Sequence, residues 1–328
     1  MRKASMGHEG RGFRRALVLS FGALLASVLA GCGGGDRGAG SGDGPVEVVA
    51  TYSILGNLVE NVGGENVELT TLVGPNSDPH TFEPAPSDNA RLAEAEVVFQ
   101  NGLRFESWLD DLYDSSGSEA RRVAVTENID PLPIDGDEHG AEEEHAGEEH
   151  GEYDPHVWHD PTNAVVMVEE IRDALVEADP GNARAYEKNA EEYVSELEAL
   201  DADVREQVDS IPEENRVLFT SHDTFGYFAE RYGFEVDTAL ASVSTETGDP
   251  SAGETAELVE EIEASGVPAI FAENVSNSSV MENIAAEAGV ELAPTLYTDA
   301  LGKPGTEGST YVRMLRYNVS TMSEALQE

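Results

Sequence analysis

Seven of the eight histidines lie beyond residue 70, and they are not scattered. His80, His156, His159 and His222 fall beside turn residues or at the ends of short apolar runs, whereas His139, His145 and His150 share one acidic, glycine-bearing stretch. None sits at a helix-core position. A lone histidine is more often structural, but four at element ends reverse that balance, because neutral imidazole is the commonest side-chain metal ligand. The tripeptide Asp-Pro-His occurs twice, at Asp78-Pro79-His80 and Asp154-Pro155-His156. Proline fixes its own φ and pushes the preceding residue to an extended conformation. Each histidine therefore follows a stiff turn and loses little entropy on binding, and the nearby aspartate can accept the second ring N–H.

Two further donors follow apolar runs. His222 comes directly after Val217-Leu218-Phe219-Thr220-Ser221, and Asp299 after the run from Leu292 to Tyr297 and Thr298. The carboxyl end of a strand in an α/β sheet is where such folds bind ligands. Three imidazoles and one carboxylate make a four-ligand N3O set, which suits tetrahedral zinc(II); manganese(II) prefers more oxygen. His159, three residues after His156, can reach such a site or cap it, and is expected to lie behind the ligands or in solvent.

The elements that must position these residues are legible from periodicity. Val46 to Thr51 reads as a buried strand, Ile54 to Val62 as a helix ending at Gly63-Gly64, and Val67 to Val73 as a second strand. Ser87 to Ala95 and Ser107 to Tyr113 are helical in pattern; Val97 to Asn101 and Arg121 to Val125 are strand-like. Asp160 is a natural N-cap with Pro161 at the first helical position, and Val165 to Ala178 keeps the helical period. Asn182 to Ser210 runs without Gly or Pro, a helix of roughly 43 Å. Beyond Pro212 strands at Arg216–Thr220, Glu235–Leu240, Ala269–Glu273 and Glu291–Tyr297 alternate with helices at Phe225–Tyr232, Glu254–Ala264, Ser279–Ala288 and Thr310–Leu326. Strands alternating with helices predict an α/β fold with parallel-rich sheets, in two Rossmann-like lobes.

Composition narrows the class. Nineteen Lys plus Arg face 65 Asp plus Glu, a formal net charge of −46 over 328 residues. Nucleic acid and anionic membrane surfaces are disfavoured partners. The charge suits steering of cations and, equally, solubility in high salt. Residues 135–153 hold nine acids, three histidines, four glycines and no Lys or Arg. That stretch cannot bury a core and is expected to be a surface loop with weak metal sites. At the start, Arg2, Lys3, Arg11, Arg14 and Arg15 precede an uncharged run from Ala16 to Ala30, which fits a signal segment better than a bilayer span. Leu29-Ala30-Gly31-Cys32 resembles the lipobox of bacterial lipoproteins, so Cys32 is expected to carry a lipid anchor. It is the sole cysteine, which leaves no internal disulfide. The expected organisation is a signal peptide over 1–31, a flexible tether over 32–45, an N-terminal lobe over 46–181, a connecting helix over 182–210 and a C-terminal lobe over 211–328.

Four segments carry a family resemblance: Asp78-Pro79-His80-Thr81-Phe82-Glu83-Pro84, Asp154 through Pro161, Ser221 through Phe228, and Leu296 through Gly302. In this order they resemble the metal-site segments of substrate-binding proteins of zinc/manganese ABC importers, the TroA-like and ZnuA-like group. The resemblance runs from about Val46 to Glu328. It implies His80, His156, His222 and Asp299 as ligands, and two α/β lobes joined by one long rigid helix with the metal in the interlobe cleft. It also implies a role for Glu273, beside the site, in hydrogen bonding to a ligand. Manganese members usually carry Glu where this chain has His222, and the acidic His-rich insert resembles that of zinc-uptake members. Zinc is therefore the expected cargo, with manganese or iron as the alternative. The protein is expected to be a monomeric, lipid-anchored, extracytoplasmic carrier that hands its metal to an ABC permease. An extracytoplasmic zinc hydrolase is the alternative from another class, but four protein ligands leave no open position for water, and no His-Glu-x-x-His motif is present. An adhesin lacks support from any adhesive repeat.

Overall fold

The structure, a computed structural model, describes residues 44–134, 152–236 and 252–327. The expected signal segment 1–31, the expected anchor residue Cys32, nearly all of the expected tether, and His139, His145 and His150 lie outside the described residues. So does the second half of the strand expected at Glu235–Leu240. Among the described residues no helix is long and apolar enough to cross a membrane.

The first half is an α/β layer arrangement. Strands β1 (Val46–Tyr52), β2 (Val67–Val73), β3 (Val97–Gln100) and β4 (Arg121–Ala124) form one parallel sheet in the order β2-β1-β3-β4. Every residue of β1 except Glu47 is buried, as expected of a strand covered on both faces. Helix α1 (Ser53–Gly63) packs Ile54, Leu55, Leu58, Val59 and Val62 inward. It turns at Gly64, whose φ of 54° is the left-handed conformation that favours glycine. Helices α2 (Pro86–Glu94) and α3 (Leu109–Ser116) cover the opposite face, where Val49, Val98, Leu92, Leu109 and Leu112 form a separate apolar cluster.

Helix α4 (Pro161–Ala178) begins where the Asp160-Pro161 pair predicts, with the Asp160 carboxylate accepting from the Thr162 N–H at 2.7 Å. The long helix α5 (Ala183–Val208) is slightly shorter than its pattern and spans roughly 39 Å. Its buried stripe, Tyr186, Ala190, Tyr193, Leu197, Leu200, Val204 and Val208, advances by three or four residues, one face of a helix.

The second half carries α6 (Gly226–Tyr232), α7 (Ala252–Ser265), α8 (Ser278–Ala288) and α9 (Tyr311–Leu326). Its ladders are β5 (Val217–Leu218) with β6 (Glu235–Val236), and β7 (Ala269–Glu273) with β8 (Glu291–Leu296), all parallel. The backbone N–H of Phe271 donates to Phe219 O at 3.0 Å, which places β5 beside β7. The two ladders remain separate two-stranded sheets, linked by that bond just beyond β5. β5 is shorter than the expected Arg216–Thr220, because the chain leaves the ladder after Leu218 to form the turn that carries His222.

One apolar core runs from Val46 in β1 to Leu326 in α9 and takes in the whole inner stripe of α5. Leu197 is fully buried at the middle of that stripe. Leu197→Ala should destabilise the fold by about 2–5 kcal/mol, read by chemical denaturation, with little change at the ligand cluster described next.

Candidate metal centre

Each sequence-predicted donor stands at the carboxyl end of a parallel strand or in a loop pinned to one. His80 follows β2. Asp78 caps that turn, its Oδ1 accepting from His80 N–H at 2.8 Å and its Oδ2 from the Thr81 hydroxyl at 2.9 Å. Trp108 Nε1–H holds the same turn by donating to Pro79 O at 2.8 Å. In the second copy Asp154 also touches the ring: its Oδ1 accepts from His156 N–H at 2.8 Å and lies 2.7 Å from His156 Nδ1. The loop is tied down by Asn101, whose side-chain N–H donates to Pro155 O at 2.9 Å and whose Oδ1 accepts from Tyr52 OH at 2.9 Å.

His222 is oriented by Glu273, the last residue of β7. Oε1 accepts the His222 backbone N–H at 2.9 Å, and Oε2 lies 2.6 Å from the ring Nδ1. Glu273 Oε2 also accepts the Thr298 hydroxyl at 2.9 Å, which links it to the segment carrying Asp299. Asp154 and Glu273 both leave Nε2 of their histidine free to face the cluster, the arrangement by which a carboxylate behind an imidazole sets its direction.

The four donors meet. One ligand atom from each of His80, His156, His222 and Asp299 lies within 4.8 Å of all the others. His80 Nε2 is 3.2 Å from His156 Nε2 and 3.4 Å from Asp299 Oδ2. His222 Nε2 is 3.0 Å from Asp299 Oδ2, and His156 Nε2 is 3.8 Å from Asp299 Oδ1. Ligands about 2.0–2.1 Å from a tetrahedral ion stand about 3.3 Å apart. The observed separations bracket that value, so these side chains could hold one cation with small adjustments.

Burial and charge act together here. Burial opposes charge on His222, but the Glu273 and Asp299 carboxylates outweigh it and raise its pKa well above the ordinary imidazole value. His156 is also raised: burial lowers it, and Asp299 and Asp154 more than compensate. Asp299, which burial alone would raise, is held well below the usual carboxylate range by His222 and His156.

His159 does not face solvent. It is fully buried, its ring centroid 4.5 Å from that of Phe225, and its Nε2 lies 3.2 Å from Thr224 Oγ1. The Thr224 hydroxyl in turn donates to Asp299 Oδ1 at 3.2 Å. His159 Nδ1 has no hydrogen-bond partner, which costs about 1–3 kcal/mol for a buried polar atom. Burial, helped by the neighbouring histidines against the pull of Asp299, lowers its pKa to about 3. The ring is therefore neutral.

Sequence reading missed the loop Gly102-Leu103-Arg104, which has positive φ at all three residues, at 93°, 53° and 64°. It turns Phe105 into the site, 4.7 Å from the His80 ring and about 5.0 Å from both Tyr52 and Trp158. It also turns in Glu106, which accepts from the Thr51 hydroxyl at 2.6 Å and from Asn101 N–H at 2.7 Å. Burial raises the Glu106 pKa, with those hydrogen bonds working against it. No motif announces these residues, because their role depends on a backbone shape that non-glycine residues rarely adopt.

The chain is similar to known metal-binding proteins. Residues 48–325 match the family model ZnuA, described as the periplasmic component A of a zinc-uptake complex. The manganese-binding lipoprotein MntA of Halalkalibacterium halodurans is 36% identical over 305 residues, covering 93% of this chain and 96% of that protein. The manganese-binding lipoprotein MntA of Bacillus subtilis is 36% identical over 315 residues, covering 93% and 99%. The solved structure of the periplasmic zinc-binding protein TroA from Treponema pallidum is 31% identical, with a TM-score of 0.76 over 87% of this chain and 100% of that one.

The state of His159 is testable without metal. Between its unfolded pKa, near 6.5, and its folded value of about 3, the unfolded chain binds a proton that the folded one does not. The wild-type protein thus loses stability as pH falls through that window. His159→Leu should gain on the wild type progressively below pH 6.5, by about 2 kcal/mol at pH 5, in parallel denaturation curves; a difference independent of pH would contradict a buried neutral ring.

Proposed function

We propose that this chain, which belongs to the ZnuA family of metal-uptake components, is the extracytoplasmic substrate-binding protein of an ABC importer and that its cargo is manganese(II). The observation that carries metal binding is the convergence of His80, His156, His222 and Asp299, the last three buried and His80 half-buried, on one point from both halves. These four are the proposed ligands, with Glu273 and Asp154 as the carboxylates that aim His222 and His156. Manganese is preferred over the zinc expected from His222 and the acidic insert, because both MntA relatives, matched over nearly their whole length, are named for manganese. Zinc is the second reading, supported by the N3O donor set and by the likeness to TroA. The hydrolase reading has no support among these relatives, which are named as metal-binding proteins.

Capture follows from the site's chemistry. The carboxylates around the site raise the pKa values of His156 and His222, so a cation entering the cluster competes with protons for these rings and binding weakens as pH falls. Anchoring through Cys32 would keep the carrier beside its permease, and the loop carrying His139, His145 and His150 would raise the local metal concentration. Intrinsic affinity places zinc above manganese at almost any such site, so the working metal is decided by supply as well as by geometry.

Metal-free protein should bind manganese(II) with micromolar or tighter affinity in titration calorimetry, and zinc should compete. His222→Ala or His80→Ala should abolish tight binding while leaving the fold intact. A wild-type protein that takes up zinc but never manganese would return the reading to zinc, and one that binds neither would remove the site. In buffers of different ionisation enthalpy, the same titration should show proton release that grows as pH is lowered, and zero release at every pH would contradict competition between protons and the ion.

A further inference from the structure

Asp299 presents both carboxylate oxygens to the ligand cluster. Oδ2 lies 3.0 Å from His222 Nε2 and 3.4 Å from His80 Nε2, while Oδ1 lies 3.8 Å from His156 Nε2. It can therefore serve a cation through one oxygen or through two. We propose that Thr224, backed by His159, fixes that choice: its hydroxyl holds Oδ1 away from the ion and so tunes the balance between zinc and manganese. The inference rests on the proposed ligand role of Asp299.

The direction of the hydrogen bonds follows from donor counting. Thr224 Oγ1 is 3.2 Å from Asp299 Oδ1 and 3.2 Å from His159 Nε2, and all three residues are buried. A carboxylate that binds a cation is ionised and only accepts; a hydroxyl has a single proton to give. That proton goes to Oδ1, so the threonine oxygen accepts from Nε2–H of His159. The tautomer is thereby fixed, and Nδ1 is left without a partner. An aliphatic side chain packed on Phe225 would avoid that unpaired nitrogen. What the ring contributes is the donated proton that orients the Thr224 hydroxyl.

The consequence lies in coordination number. A hydrogen-bonded Oδ1 is the poorer donor, which leaves Oδ2 and three imidazoles as a four-ligand set. Zinc is satisfied by four ligands, whereas manganese gains from another oxygen. Releasing Oδ1 should therefore favour manganese relative to zinc, so in the wild type this hydrogen bond works against the proposed manganese cargo and limits its affinity. Thr224 and His159 are positioning residues that act on the ion only through Asp299.

The test uses the purified protein with manganese(II), zinc(II) and cobalt(II), comparing the wild type with Thr224→Val, Thr224→Ser and His159→Leu. Thr224→Val keeps the shape and removes the donor. It should raise the manganese-to-zinc affinity ratio by about tenfold or more, on the scale of other changes behind metal ligands. It should also weaken the visible absorption of the cobalt form, as expected when four-coordination becomes five. Thr224→Ser should restore both readouts, and His159→Leu should shift them in the same direction as Thr224→Val but less. An unchanged ratio and cobalt spectrum in folded Thr224→Val overturns the inference; if that variant does not fold, an unchanged pair of readouts in His159→Leu does so. A wild-type protein that binds none of the three metals overturns instead the ligand reading beneath it.

Discussion

Four potential ligand atoms from distant stretches of chain are packed within 4.8 Å of one another in a site where only His80 is half-buried and the other three residues are buried, and this crowding is the constraint the surrounding structure serves. Without a cation, imidazole lone pairs would face one another and a carboxylate would be stripped of water, both at a cost. The fold offsets that cost from behind. Asp154 lies against His156, Glu273 against His222, and Thr224 against Asp299, so each of these donors is oriented from behind. The same carboxylates raise the pKa values of His156 and His222, so they favour positive charge on these rings when no cation is bound. His80 is the exception. Its turn is fixed through Asp78 and Trp108 while its ring is steadied by the edge-to-face contact with Phe105.

Precision at the cluster explains why it sits where it does. Parallel strands place their carboxyl ends along one rim, and loops leaving that rim begin from fixed points. Each half contributes two donors, yet the loops are cross-tied. Trp158 Nε1–H donates to Thr298 O at 3.0 Å, Tyr311 OH to Trp158 O at 2.7 Å, and Leu301 N–H to Ser53 Oγ at 2.9 Å. A displacement at any one donor is thus resisted by hydrogen bonds to the other half as well as by its own strand.

The donors were legible in the sequence because their signals are local. A histidine after a proline turn, or after an apolar run, declares its place without knowledge of the fold. Helix α5 was legible for the same reason, through the run from Asn182 to Ser210 that holds neither Gly nor Pro. What could not be read depends on contacts made across the chain. The two Asp-Pro-His copies diverge because Thr81 offers a hydroxyl that engages Asp78 Oδ2, while the second copy is followed by Val157, which has none. The burial of His159 needs Phe225 and Thr224, 65 or more residues away, so its spacing from His156 allows a place behind the ligands or in solvent without deciding between them. Strand β5 ends early because the ladder gives way to the His222 turn, a tertiary requirement that overrides the β-propensity of Phe219 and Thr220.

Cargo release must respect the continuous core. Tyr186, Leu197 and Val204 of α5 belong to the same apolar cluster as β1 in one half and α9 in the other. A large hinge motion between the halves would expose that surface, at a cost that scales with the area uncovered. The loops at the rim are held differently, by polar contacts such as Asn76 N–H to Leu301 O at 2.9 Å and the exposed pair Asn274 Nδ2 to Asn76 Oδ1 at 3.1 Å. Such bonds exchange with water at little net cost. Changing the separation of the halves is therefore the costlier motion, and the exposed contacts before His80 are the cheaper ones to break, whereas the segment around Asp299 stays tied by the buried Trp158–Thr298 and Leu301–Ser53 bonds.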